Sequence, residues 1–151
     1  MDPDNPVVKL CAEGMQAEFA GRLAESGNLF MQAWQVAQDD FEACIAAHYL
    51  ARRQADFADN LHWNQVALAR ADAVADERVS QFYPSLYLNL GHSYEINADP
   101  AEARRYYALA AARVDALPPG PYSDVVRRGV TTALQRMSAA PADTASTLGA
   151  L

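Results

Sequence analysis

Glycine and proline are scarce in this sequence, and they mostly separate stretches that have a helical pattern. The 151-residue chain contains seven glycines and eight prolines. Alanine is abundant, as in helices, while Val and Ile are scattered, and no segment alternates apolar and polar residues as a half-buried strand does. The lack of strand patterns argues against a β-rich fold and predicts an all-α protein.

Basic residues are also in short supply. Lys and Arg number 12 against 19 Asp and Glu, which gives a formal net charge of −7. Proteins that bind nucleic acids need a positive field to attract the phosphate backbone. We therefore expect no nucleic-acid partner.

Cysteines and long apolar runs are nearly absent. Cys11 and Cys44 are too few for a disulfide framework. No stretch approaches the roughly 20 apolar residues that span a bilayer, and the N-terminal residues lack the basic and apolar regions of a secretory signal. We expect a cytoplasmic protein with no membrane partner.

Motifs of known enzyme chemistry are missing as well. There is no Gly-rich phosphate loop, no His-Glu-x-x-His and no Cys-x-x-Cys. Cys44 and His48 are four residues apart and share a helical face, but a small buried thiol beside a polar residue is the favoured interpretation. We expect no catalytic residue, no metal and no cofactor.

The apolar residues that are present recur at helical spacing, and the breaks between them have recognisable chemistry. Asn5-Pro6 and Asp99-Pro100 each predict a helix cap followed by the first helical residue. Pro118 to Pro121 separates two helices, and we expect Ser123 to cap a helix over 122–137. These patterns predict one domain over 1–137 and a disordered tail over 138–151.

One segment carries a spaced set of aromatic and small residues. It contains Tyr87-x-x-Leu90-Gly91-x-x-Tyr94, then Ala103-x-x-x-Tyr107 and Ala110. This set resembles the tetratricopeptide repeat, a pair of antiparallel helices. The resemblance implies a stack of about three helical hairpins, at 7–40, 41–74 and 84–117, closed by the capping helix 122–137. It also implies that Gly91 and Ala103 meet across the last hairpin.

Two earlier units follow the same pattern less closely. Gly14, Ser26, Phe30 and Ala33 match the spacing of the last unit. The family period of 34 residues then places His48, Asn60, Asn64 and Ala67 at the equivalent sites of the middle unit. Sliding the first helix of that unit by one residue puts Ala47 at the glycine site instead. About nine extra residues around 75–83 are expected to lengthen the second helix.

In this family the first helices of the hairpins line a concave groove, and the resemblance implies the same here. The residue after each glycine site, and the residues one turn on or beside it, would face this groove. The candidate ligand-binding residues are His48, Arg52, Asn89, His92, Glu95 and Met15. Because His48, Arg52 and His92 can carry positive charge in an acidic protein, we expect an acidic ligand or peptide.

These residues predict a non-catalytic interaction module that binds a peptide, a protein segment or an acidic ligand. Two alternatives stay open. One is a small enzyme or small-molecule-binding protein that uses a His and Arg pocket in the groove. The other is a structural subunit that forms a homodimer through Trp34 or Trp63.

Overall fold

Helices account for all the regular secondary structure in the part of the chain that the computed structural model describes, residues 2–139. The seven α-helices are α1 (Pro6–Phe19), α2 (Leu23–Val36), α3 (Asp40–Ala51), α4 (Phe57–Val74), α5 (Tyr83–Ile96), α6 (Pro100–Val114) and α7 (Pro121–Ala139), with a 3₁₀ turn at Glu77–Val79. The prediction of an all-α protein is confirmed. Within the described range, no helix is both long and apolar enough to cross a bilayer.

Side-chain caps were predicted at the N-termini of α1, α6 and α7, and two of the three are present. Asn5 Oδ1 accepts from the backbone N–H groups of Val7 and Val8 at 2.9 and 3.2 Å, and Asp99 caps α6 in a similar way. Both predicted caps are confirmed. The predicted cap at Ser123 is wrong, because α7 already begins at Pro121 and Ser123 Oγ donates to the Gly120 carbonyl at 2.8 Å.

The C-terminal boundary differs slightly from the predicted one. Ser138 and Ala139 belong to α7. The rest of the predicted tail, residues 140–151, lies outside the described residues.

Consecutive helices pack as antiparallel pairs. The most extensive contacts join α1 to α2, α3 to α4 and α5 to α6. In the second pair, Asn60 at the start of α4 donates to the carbonyl of Ala51 at the end of α3, at 2.9 Å. In the third pair, Arg113 near the end of α6 lies 4.7 Å from the ring centroid of Tyr83 at the start of α5.

The odd-numbered helices run in the same direction. At the C-terminal ends of α1 and α3, Arg52 donates to Glu18 at 3.0 Å. Tyr122 at the start of α7 donates to Ser85 at 2.9 Å, and Arg136 near its end donates to Glu95 at 2.7 Å. We call the combined exposed surface of α1, α3, α5 and α7 the first-helix face.

The first and third hairpins contain the same kind of packing contact, between a glycine of the first helix and an aromatic ring of the second. A Cβ added to Gly14 would lie 2.4 Å from the ring of Phe30, and one added to Gly91 would lie 2.4 Å from the ring of Tyr107. Both rings are fully buried. The predicted partner of Gly91 was Ala103, but the three atoms nearest to a Cβ placed on Gly91 all belong to Tyr107.

The middle hairpin differs from its neighbours in two ways. Asn64 stands at the position that corresponds to Phe30 and Tyr107, and it is also buried. The expected lengthening of the second helix is small, because α4 has 18 residues against 14 in α2 and 15 in α6 and ends at Val74, before the residues expected to be inserted. Most of them form a connection in which Ala75 adopts a left-handed conformation, with φ of 50°, and Val79 is buried in the 3₁₀ turn.

The two tryptophans join the first two hairpins. The ring centroids of Trp34 and Trp63 are 5.0 Å apart in an edge-to-face arrangement, and both side chains are partly buried. These side chains thus already pack against each other within the chain.

Candidate functional site

A polar cleft lies between the C-terminal halves of α3 and α5, beside the start of α4. Its volume is about 250 Å³, and its lining side chains are Glu18, Arg52, Asn60, Asn64, Asn89, His92 and Ser93. The cleft brings together three residues that the sequence predicted as ligand-binding, namely Arg52, Asn89 and His92.

A second, mainly apolar cavity of about 300 Å³ lies closer to the N-terminal ends of the same helices. Helix α3 supplies Cys44, Ile45, His48 and Tyr49 to its wall. The opposite wall consists of Gln81, Phe82, Ser85 and Leu86, and Tyr122 from α7 borders the cavity.

His48 lines the apolar cavity rather than the polar cleft. Burial, aided by the nearby positive charge of Arg52, lowers the pKa of His48 to about 4. A lowered pKa keeps the ring neutral at pH 7, which argues against the expectation that His48 supplies positive charge.

Asn89 connects these two spaces. Its Nδ2 lies 3.4 Å from His48 Nδ1, an acceptor in one tautomer of the neutral ring. Asn89 and His92 also line a third cleft, of about 410 Å³, whose opposite wall is α7. The three spaces therefore adjoin along the first-helix face.

Glu95 and Met15, which were also predicted to bind a ligand, line neither the polar cleft nor the apolar cavity. Glu95 accepts from Tyr107 at 2.6 Å and from Arg136 at 2.7 Å, and these partners lower its pKa to about 2. It connects α5, α6 and α7. Met15 packs, partly buried, against the core cluster that α1, α2 and α3 share.

The charges at the polar cleft are largely compensated. Arg52 and Arg53 each donate to one oxygen of Glu18 at 3.0 Å. Two cations thus share one carboxylate, which leaves one net positive charge beside the cleft. The net positive charge beside the cleft is therefore smaller than expected from the sequence, which suggested that His48, Arg52 and His92 could all be positively charged.

A buried hydrogen-bond network forms the floor of the cleft. The single hydroxyl hydrogen of Ser93 has two acceptors in reach, Asn60 Oδ1 at 2.6 Å and the Asn89 carbonyl at 2.9 Å. Asn64 Nδ2 donates to Ser93 Oγ at 2.8 Å. We did not predict this network as a site, although Asn60 and Asn64 were the positions at which the middle unit broke the repeat pattern. That break was the only signal in the sequence.

Cys44 lacks the properties of a nucleophile. Burial is the largest cause that raises its pKa to about 12, so the thiol stays protonated at pH 7. Among residues 2–139 no group of three or more His, Cys, Asp or Glu side chains is arranged to hold a metal ion.

Comparison with known proteins gives no relative, because no family model, no curated protein and no solved structure matches the chain.

Proposed function

We propose that this protein is a tetratricopeptide-like interaction module that binds a segment of a partner protein along its first-helix face. The repeated contact of a glycine with a buried ring, and the parallel course of α1, α3, α5 and α7, support the family assignment. The recurring small residues allow the helices of a hairpin to approach closely, as a stacked repeat requires.

The observation that carries the proposal is the series of three adjoining spaces on one face. Asn89 lines the polar cleft and the third cleft, and its contact with His48 reaches the wall of the apolar cavity. An extended or helical segment is long enough to contact all three. Its apolar side chains would provide affinity in the cavity, and its polar groups would provide specificity in the clefts.

The enzyme alternative has less support. It required His48, Arg52 and His92 to act together, but His48 and His92 line different spaces. A histidine with a pKa near 4 is also poorly matched to general acid–base chemistry at neutral pH.

The structure supports the remaining alternatives, a small-molecule ligand, a strongly acidic segment and a homodimer, to different degrees. The apolar cavity of about 300 Å³ is large enough for a small neutral molecule, which keeps small-molecule binding as a second candidate. A strongly acidic segment is less favoured than the sequence indicated, because Glu18 pairs with both Arg52 and Arg53. A dimer through Trp34 or Trp63 would have to use a side chain that already contacts the other tryptophan.

Selection from a random library of 12-residue peptides tests this proposal. Peptides enriched on the immobilised protein are titrated into ¹⁵N-labelled protein, and the backbone amide shifts are mapped. We expect the largest shifts on α3, α5 and α7. Failure to enrich any peptide, or shifts confined to the outer surfaces of α2, α4 and α6, would contradict the proposal.

A further inference from the structure

The third cleft, between α5 and α7, contains an arginine whose charge no carboxylate compensates. This residue is Arg128 of α7, which is exposed, lines the cleft and forms no ion pair with any of residues 2–139. We propose that the third cleft binds one anionic group of the partner segment, a carboxylate or a phosphate, through the guanidinium of Arg128. The inference deepens the proposed function and rests on it, because it names the chemical group that this part of the first-helix face takes.

Most arginines of the described chain already pair with a carboxylate. The paired ones are Arg22, Arg52, Arg53, Arg70, Arg78, Arg105, Arg127 and Arg136. Of the other three, Arg113 lies over the ring of Tyr83, and Arg104 is exposed on α6, outside the three spaces. Arg128 is therefore the unpaired arginine that lines one of these spaces, and its exposure lets a ligand group reach it.

The two walls of the cleft supply a carboxylate at one level and none at the other. Near the C-terminal end of α7, Arg136 donates to both oxygens of Glu95 on α5, at 2.7 Å each. About two turns earlier, Gly129 follows Arg128 and lies against Leu88 of α5, whose side chain would be 2.8 Å from an added Cβ. The residue of α5 at this level is apolar, so Arg128 lacks the counterpart that Arg136 has.

The charges around the cleft favour an anion. Its ionisable lining residues include Arg128, Arg136 and His92 but no carboxylate, and Glu95 is already held by Arg136. Asp124, one turn before Arg128 on α7, forms no ion pair with it. An ammonium group would be repelled here, whereas an anionic group can accept two N–H bonds from one guanidinium. Because one charge is uncompensated, the site fits one anionic group and not a run of them.

The test compares three small probes. N-acetylglutamic acid α-N-methylamide carries one carboxylate, N-acetylglutamine N-methylamide replaces it with a neutral group of nearly the same shape, and N-acetylphosphoserine N-methylamide carries a phosphate. Each is titrated at pH 7 into ¹⁵N-labelled wild-type protein, with sodium chloride added to equalise the ionic strength. We expect at least one anionic probe to shift the Arg128 Nε–H signal and the backbone signals of Gly129 and His92, and the neutral probe to bind at least 10-fold more weakly. The tighter anionic probe identifies the anion.

A pair of arginine variants tests the same guanidinium from the protein side. Arg128→Gln and Arg104→Gln each remove one positive charge from an exposed position without breaking an ion pair. Because the net charge changes equally, a difference between the variants reports the contact in the cleft. We expect Arg128→Gln to weaken binding of the anionic probe at least 10-fold and Arg104→Gln to leave it within about twofold of wild type. Circular dichroism shows whether both variants fold.

Three results would overturn the inference: no response to either anionic probe at tens of millimolar, equal binding of the neutral probe, or equal affinities of the two variants. The proposed function is tested separately by the peptide library. If library peptides still map to the first-helix face while the anionic probes fail, only the assignment of this group is wrong.

Discussion

The ring of Tyr107 occupies the space that a side chain on Gly91 would need. A Cβ at Gly91 would approach two ring carbons to 2.4 Å, well inside van der Waals contact. Phe30 stands in the same relationship to Gly14 near the other end of the chain. The same close contact between first and second helices is therefore used in two hairpins.

This contact gives a direct test of the packing. We expect Gly91→Ala to lower the free energy of unfolding by about 1–3 kcal/mol, because the added methyl group forces Tyr107 or the helices apart. The matched control is Gly27→Ala in α2, where the nearest atom is 3.8 Å from the new Cβ. That change should be neutral or stabilising by up to about 1 kcal/mol, since alanine favours helix. Equal melting temperatures for the two variants would contradict this account of the contact.

The network under the polar cleft is expected to stabilise the fold. Ser93→Ala removes a fully buried hydroxyl that bonds to Asn60 and Asn64, so we expect a loss of about 1–3 kcal/mol in urea unfolding. Ser26 is a suitable comparison, because its buried hydroxyl has no partner among residues 2–139. Ser26→Ala should be neutral or slightly stabilising. A Ser93→Ala variant as stable as Ser26→Ala would show that the network contributes little.

His48 should make the fold sensitive to mild acid. Its pKa is about 4 in the folded protein, against roughly 6.5 in an unfolded chain. The unfolded chain therefore binds more protons between these values, and stability, complete above pH 6.5, falls as the pH drops towards 4. The expected loss is about 1–3 kcal/mol.

Urea unfolding at several pH values measures this effect. His48→Gln should flatten the curve between pH 6.5 and 4, while the same change at the exposed His62 should have a smaller effect. Identical pH profiles for wild type and His48→Gln would show that His48 is not protonated on unfolding in this range.

Helix pattern and caps could be predicted from sequence because their causes are local. Asn5 and Asp99 bond to backbone groups within three residues, and a proline follows each of them. The role of Ser123 was predicted wrongly because α7 begins two residues earlier, at Pro121, and proline is well suited to the first position of a helix. The structure of the inserted residues around 75–83 could not be predicted in the same way. It involves the burial of Val79, a tertiary contact that hydrophobic periodicity does not show.

The candidate site was predictable only in part. Arg52, Asn89 and His92 line one cleft, and sequence spacing could place them on their helical faces because spacing fixes which face a residue occupies. The neutral state of His48 follows from burial, and the ties of Glu95 follow from the approach of α7. The neutral state of His48 and the hydrogen bonds of Glu95 both depend on tertiary packing, which the local sequence does not show.

The central claim is that the first-helix face binds the partner segment, and a pair of tryptophan variants tests it most directly. Ser85→Trp places a large side chain at the wall of the apolar cavity, whereas Gln32→Trp places one at an exposed position on α2. The dissociation constant of one library-selected peptide is measured for both variants by isothermal titration calorimetry. We expect Ser85→Trp to weaken binding at least 10-fold and Gln32→Trp to leave it within about twofold of wild type. Wild-type affinity in a correctly folded Ser85→Trp variant would contradict the claim.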